Sequence, residues 1–335
     1  MIKEAISKIV SGENLSKEEA SNTMDEIMSG EATPAQIACF LTALRLKGET
    51  IDEITGCATI MREKVTRIQT NTEILVDTCG TGGDVSHTFN ISTIAALVAA
   101  GAGVRIAKHG NRAVSSQCGS ADVLKALGVN TEADADKVAR CIDEAGIGFL
   151  FAPMLHPAMK YAIGPRREIG IRTIFNILGP LTNPAGAKSQ VLGVYDVRLT
   201  EPLAHVLKNL GSRHVFVVHG ADGLDEITTT DKTFVTELKD GEVRSFVINP
   251  EDFDVKRANK ADLIGGTVEE NAKIALDILQ GEKGAKRDVV MLNASAAIVT
   301  GGLASDFAEG IRLASESIDS RKAMKKLETL IEVSA

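Results

Sequence analysis

The sequence predicts an α/β protein with a largely parallel central sheet flanked by helices, and a smaller all-helical domain joined to it by hinges. Three observations carry that expectation. Residues 1 to about 70 show helical periodicity with capping signals and no strand-like run. From residue 74 short apolar runs alternate with Gly-rich loops and helical stretches. Residues 153 to about 182 return to helix signals, broken by Pro157, Pro165 and Pro180.

In chain order, Ile2, Ile6, Ile9 and Val10 share one helix face, and Ser16-Lys17-Glu18-Glu19 opens the next helix as a capping box. Thr33-Pro34 reads as an N-cap followed by proline at the first helical position, starting a helix that presents Ile37, Phe40, Leu41 and Leu44. Thr50 with Glu53 starts another. The apolar faces exceed what four short helices need, which predicts a homodimer interface there.

Glu73 to Asp77 then reads as a short strand, followed by a Gly-rich loop, a helix from about Asn90 to Ala100 ended by Gly101 and Gly103, and a strand from Val104 to Ala107. This is a βαβ unit with parallel strands and a right-handed crossover. Helices are expected at Ser120–Leu127 and Ala133–Ala145, with a strand at Gly148–Phe151. Further strand candidates are Gln190–Tyr195, His214–Val218 and Asp288–Leu292, and Thr233–Ile248 reads as a hairpin turning at Asp240-Gly241. The helix-rich segment 153–182 is expected to leave the sheet and join the first helices. The division is then 1–72 with 153–182 for the helical domain, and 73–152 with 183–335 for the α/β domain.

Composition narrows the function. A chain of 335 residues is too long for one small core. Apolar residues at 44% and charged residues at 24% are those of an ordinary soluble enzyme. A net charge of −8, no Trp and two Tyr argue against nucleic-acid or anionic-membrane binding. Small phosphorylated substrates remain compatible, because local backbone dipoles and a bound cation outweigh the global field. Five dispersed cysteines without a C-x-x-C pair read as reduced thiols rather than a disulfide framework or zinc site. The opening MIKEAISKIVSGENLS lacks an apolar signal-peptide core, and the stretch Ile91 to Ala107 is too broken to span a bilayer, so a cytoplasmic location is expected.

Four polar loops follow strand ends, where open parallel sheets bind ligands: residues 78–90, 108–120, 152–166 and 219–227. In the first, Gly80, Gly82 and Gly83 let the backbone approach a phosphate, and Asn90, Ser92 and Thr93 add donors at a helix start. The spacing is neither a Walker loop nor a dinucleotide fingerprint; a sharp turn is the plain alternative. In the second, Lys108 with several hydroxyls can grip a second phosphate group, although Ser120 can equally be an N-cap and His109 a core residue. The third carries Arg166-Arg167, able to offer a planar fork to a carboxylate. The fourth carries Asp225-Glu226, suited to a hard divalent cation or to a solvated acidic turn.

GTGGD with TFNIST, KHGNR followed by SSQCGSAD, HPAMK with GPRREIGIRTIFNILGPLTNP, and VHGADGLDEI occur together in one order, and in these the chain resembles the anthranilate phosphoribosyltransferase family over essentially its full length. The resemblance implies transfer of phosphoribose from 5-phosphoribosyl 1-diphosphate to the amine of anthranilate, in tryptophan biosynthesis. It assigns Gly80, Gly83, Asp84, Thr88, Asn90, Ile91, Ser92 and Thr93 to the diphosphate and ribose phosphate. Lys108, His109, Gly110, Asn111, Arg112, Ala113, Val114, Ser115, Ser116 and Ser120 complete that site. Gly80, Asn111 and Arg166 face anthranilate, with His109 and His156 near its access path. Ser92, Asp225 and Glu226 hold Mg²⁺, two ions being expected. No nucleophile or general base is assigned. A homodimer through the helical domains, with no nucleic-acid or membrane partner, is also implied. Departures from the family pattern are few: His87, Cys79 and Met159 stand at variable positions, and Arg321 replaces a glycine often found there.

Three other classes rival the transferase, of which a purely structural or interaction protein has no reason to keep four polar loops at strand ends. A pyrimidine nucleoside phosphorylase resembles this fold, but GTGGD with TFNIST and DGLDE favours the transferase. A nucleic-acid-binding relative should be basic, and this chain is acidic.

Overall fold

Side-chain caps start three of the four helices in the first quarter of the chain. The computed structural model describes residues 1–83, 86–112 and 118–335. Helices α1 (Ile2–Val10), α2 (Lys17–Met28), α3 (Pro34–Lys47) and α4 (Ile51–Lys64) occupy the expected positions, with capping boxes at Ser16/Glu19, Thr33/Gln36 and Thr50/Glu53. The Glu53 carboxylate does more than cap: it also accepts from Leu15 N at 2.9 Å and pairs with Lys47 Nζ at 3.0 Å, both side chains being buried. Gly56 lets α2 and α4 touch, since a Cβ there would lie 2.4 Å from the Lys17 carbonyl oxygen.

Five parallel strands follow: β1 (Val76–Gly80), β2 (Ile106–Gly110), β3 (Ile147–Phe151), β4 (Ser189–Gly193) and β5 (His214–Gly220). The hairpin β6 (Thr233–Lys239) and β7 (Glu242–Ile248) adds to β5 antiparallel, giving the order β3-β2-β1-β4-β5-β6-β7. Asp240 and Gly241 at its turn both have positive φ, as the primed hairpin turn requires. The largely parallel sheet is therefore confirmed, with a mixed edge.

β1 and β2 begin and end two to three residues later than the apolar runs that announce them. Asp77, Lys108 and His109 lie inside strands because their polar groups are paired there, and an apolar run stops at the first such residue. Lys108, His109 and Gly110 thus belong to β2 rather than to the following loop, and Gly80 to β1. The expected strand Asp288–Leu292 is incorrect: these residues lie in helix α13 (Ala285–Thr300). That helix is buried nearly all round, and five apolar-rich residues do not distinguish a strand from a wholly buried helix.

Remaining helices are α5 (Ile91–Ala102), α6 (Ser120–Ala126), α7 (Ala135–Arg140), α8 (Ala152–Leu155), α9 (Lys160–Ile169), α10 (Phe175–Leu178), α11 (Thr200–Asn209), α12 (Val268–Leu279), α14 (Phe307–Asp319) and α15 (Lys322–Ser334). Gly101 does not end α5 but lies within it, where a Cβ would collide with Ser317 Oγ and Ala323 N; Gly103, at φ 112°, is the terminator. None of the described helices is long and apolar enough to cross a membrane.

Alternate strand residues feed two cores, as the period of two demands. Val191, Phe216, Val218 and Val235 pack with α5, α13, α14 and α15. Leu192, Val215, Val217 and Leu238 pack with α11 and the first four helices. Ala162, Ile174, Phe175, Ile177, Leu178 and Leu181 join that second core, and α9 lies against α2 and α3. The site lies where β1 and β4 adjoin. The chain runs outward from β1 to β3 on one side and from β4 to β5 on the other, so the loops after β1 and β4 diverge there. This is the switch point at which open α/β sheets leave a crevice.

Candidate functional site

Two glycines facing each other across the switch point admit a carboxylate. Gly80 ends β1 and pairs in register with Gly193, which ends β4. A Cβ on Gly80 would meet Asp225 Oδ2 at 2.5 Å, and one on Gly193 would meet the Asp225 carbonyl oxygen at 1.6 Å. Asp225 therefore occupies space that any other residue at these positions would fill. Its Oδ2 accepts from Gly82 N at 2.8 Å, so the fourth loop closes directly onto the first. Thr81 N donates to Gly193 O at 2.9 Å, and Thr81 Oγ1 accepts from Tyr195 N at 3.1 Å. Gly82 and Gly83 both take positive φ.

The start of α5 completes this wall. Ser92 N donates to Glu226 Oε1 at 3.2 Å, and Ser92 Oγ accepts from Lys108 Nζ at 3.3 Å. Lys108 also donates to the Thr78 carbonyl, which ties its ammonium to β1 from below the loop. Thr93 and Ile91 are buried, and Thr88 bridges to Ile264. Asn90 caps nothing: its Nδ2 donates to Cys118 O at 3.1 Å, linking the first loop to the second. Gly110 makes room for Ser120 Oγ, which donates to Asn111 O at 3.1 Å. Arg112 is engaged by Glu132 at 2.6 Å and lies over the Phe151 ring. Asp84, Ala113, Val114, Ser115 and Ser116 lie outside the described residues.

Burial, and then the neighbouring Asp225 charge, push the Glu226 carboxyl well above the usual carboxylate range. Burial pulls the Lys108 ammonium down, opposed chiefly by the Asp77 carboxylate. Two adjacent acids, both half-buried and held over backbone N–H groups, fit a divalent cation with oxygen ligands. No set of three or more His, Cys, Asp or Glu groups suited to a metal occurs among the described residues. This donor set suits Mg²⁺, which commonly takes one or two carboxylates and completes its shell with water and substrate phosphates.

On the other side of β2, His109 Nδ1 lies 3.1 Å from Gly179 O and must donate to it, so His109 Nε2 accepts from His156 Nε2 at 3.2 Å. Burial brings His109 down to about 3 and His156 to about 4, which keeps both rings neutral near pH 7. Arg166 is half-buried, its guanidinium 5.0 Å from the Phe175 ring centroid, with no carboxylate partner among the described residues. Burial lowers its pKa. Among the described residues, no hydrogen bond links it to the loops at the switch point.

Three supporting groups carry no signal in a linear reading. Asp77 accepts from His109 N at 3.0 Å and from Asn183 Nδ2 at 2.8 Å, joining β1, β2 and the segment before β4. Gln190 Nε2 donates to Pro180 O at 2.7 Å. Arg172 reaches the Gly83 carbonyl and stacks over Tyr195 at 4.4 Å. An Asn in NPAG, a Gln opening a strand and an Arg in GIRT acquire meaning only from these long-range partners.

Known proteins share both the fold and the full length. Residues 72–324 match the glycosyl transferase family a/b domain, and residues 3–65 the helical bundle domain of that family. An anthranilate phosphoribosyltransferase of Moorella thermoacetica is 58% identical over 331 residues, covering 99% of this chain and 98% of that protein. One from Pelotomaculum thermopropionicum is 59% identical, covering 99% and 96%. Among solved structures, the Thermus thermophilus enzyme superimposes with a TM-score of 0.93 at 44% identity, covering 98% of each chain. The Saccharomyces cerevisiae enzyme in complex with PRPP and Mg superimposes at 0.90 with 28% identity, covering 99% and 97%. With sequence identity above half along the whole chain and the same fold around the glycine–carboxylate wall, the chain belongs to the anthranilate phosphoribosyltransferase family.

Proposed function

We propose that the chain transfers phosphoribose from 5-phosphoribosyl 1-diphosphate to the amine of anthranilate, giving N-(5-phosphoribosyl)anthranilate and diphosphate in tryptophan biosynthesis. The observation that carries this is the seating of Asp225 and Glu226 against Gly80, Gly82 and Ser92, beside a strand-borne Lys108. The donor side is the glycine loop with Gly80, Gly83, Asp84, Thr88 and Asn90 to Thr93, together with Lys108 to Ser116 and Ser120. Ser92, Asp225 and Glu226 would hold Mg²⁺, two ions in our reading, which supplies charge neutralisation to the leaving diphosphate.

The chain itself contributes positioning and electrostatics. Gly82 N and Ser92 N hold the Asp225 and Glu226 carboxylates beside the charge that grows on the diphosphate. Gly80, Asn111 and Arg166 hold anthranilate, Arg166 offering its fork to the carboxylate, while the neutral His109–His156 pair lines the approach. The aniline nitrogen is unprotonated near pH 7, so no side chain need act as a strong base.

The helical domain comprises 1–72 with 153–182 and carries the homodimer contact; the packing of α9 on α2 and α3 supports this division. Exposed Leu46 and Val10 on the first helices support the interface. Five free cysteines fit a cytoplasmic enzyme. Incubation with phosphoribosyl diphosphate, Mg²⁺ and anthranilate should extinguish anthranilate fluorescence with stoichiometric diphosphate release. Unchanged fluorescence with an active relative as control would refute the assignment.

A further inference from the structure

We propose that Asn271, on α12, is a positioning residue for the phosphoribosyl-donor site that acts through Asn90; this inference rests on the reading above. Asn271 is 3% exposed and both ends of its amide are engaged. Its Oδ1 accepts from Gly266 N at 2.9 Å, and its Nδ2 donates to Asn90 Oδ1 at 3.3 Å. Asn90 Nδ2 in turn donates to Cys118 O. One directed chain of hydrogen bonds therefore joins the turn before α12, the start of α5 and the end of the second loop. Both amide orientations are fixed by it, since each oxygen meets a donor and each nitrogen an acceptor.

The backbone reports the same clamp independently. Gly265 N donates to His87 O at 3.0 Å, Phe89 N donates to Leu263 O at 3.4 Å, and Thr88 bridges to Ile264. A Cβ on Gly265 would stand 2.7 Å from Asn271 Oδ1 and 2.8 Å from Phe89 N, so only glycine lets the two segments close. Residues 87–90 lead directly into Ser92, whose N–H and hydroxyl meet Glu226 and Lys108. Asn271 thus sets where the start of α5 stands relative to the carboxylate pair, without touching a substrate. Fixed dipoles stabilise diphosphate only while they are held in place.

Asn271→Ala should raise the KM for phosphoribosyl diphosphate about 10-fold, the usual scale for losing an outer partner of a binding group. The anthranilate KM should stay within about 2-fold, because no acceptor group is attached to the chain of bonds. Calorimetric binding of inorganic diphosphate with Mg²⁺ should weaken by the same factor as the donor KM rises. Gly265→Ala should shift both quantities in the same direction. Combined with Asn90→Ala, the loss should be smaller than the product of the single effects, because both remove one coupled interaction. Wild-type diphosphate affinity in Asn271→Ala, equal loss for both substrates, or multiplicative effects would each overturn the proposal. If Asn271→Ala does not fold, Asn271→Ser carries the same comparison. A wild-type chain that binds diphosphate but leaves anthranilate untouched overturns the functional reading alone, since the titration still tests Asn271. A chain that binds no diphosphate overturns both.

Discussion

Arg166 and the His109–His156 pair show how burial prepares single residues. A half-buried guanidinium over Phe175 with no carboxylate partner among the described residues is already partly desolvated, which suits the proposed contact with a carboxylate. Arg166→Ala should raise the anthranilate KM at least about 30-fold, the lower end for truncating one partner of a buried charge pair. The donor KM should change far less; the reverse pattern in steady-state kinetics would refute the assignment. Both histidines have folded values depressed from 6.5, to about 3 and about 4. As pH falls below 6.5 the unfolded chain takes up protons that the folded chain refuses, so stability declines with falling pH. Asp77 acts oppositely: burial raises its carboxyl from 3.8 to about 6, which favours the folded state as pH drops through that window. His156→Gln should therefore flatten the decline in melting temperature between pH 6.5 and 4. An unchanged slope would show that the pair is not buried neutral. The Arg-Arg pair was visible to a linear reading, but the tautomer order of the histidines depended on Gly179 lying beside β2.

At the scale of elements, the switch-point glycines and the start of α15 make opposite demands. Gly193 leaves no room for a side chain, because its Cβ would lie 1.6 Å from the Asp225 carbonyl oxygen. Gly193→Ala should lower activity by about 100-fold through displacement of the loop that carries Asp225, the scale expected for a misplacement of about 1 Å. It should destabilise the fold by about 1–3 kcal/mol as overpacking does. Near-wild-type turnover would show that Asp225 is seated some other way. Arg321, which stands where the family often has glycine, takes φ 63° just before α15. Left-handed backbone costs a non-glycine residue about 1–2 kcal/mol, and glycine's extra chain entropy offsets about 0.5–1 kcal/mol of that. Arg321→Gly should thus raise the melting temperature slightly, by a gain of up to about 1 kcal/mol at unfolding. A lower value would mean that the arginine side chain contributes more than its backbone costs. The glycine loop, the capping boxes and the hairpin were all legible because each is local. The displaced strand ends and the misread Asp288–Leu292 were not, because paired polar groups extend strands and a fully buried helix loses its periodic face.

For the whole molecule, the exposed Leu46 and Val10 predict self-association through the first helices. The mass in solution should be about twice 35.5 kDa, and Leu46→Glu should shift it towards the monomer with the fold intact. A monomeric mass independent of concentration would remove the dimer. Outside Asp288–Leu292, the sequence by itself determined the kinds of element, the family resemblance and the polar loops, because periodicity, caps and turn residues act over a few neighbours. Only the tertiary structure decided that β4 lies against β1. That pairing brings Asp225 to Gly82 across 143 residues, while the packing of α12 on α5 and α6 brings Asn271 to Asn90 across 181. Strand order follows from burying both faces of the sheet at once, against α5 and α13 on one side and α11 with the first helices on the other, and no short window of sequence encodes that choice.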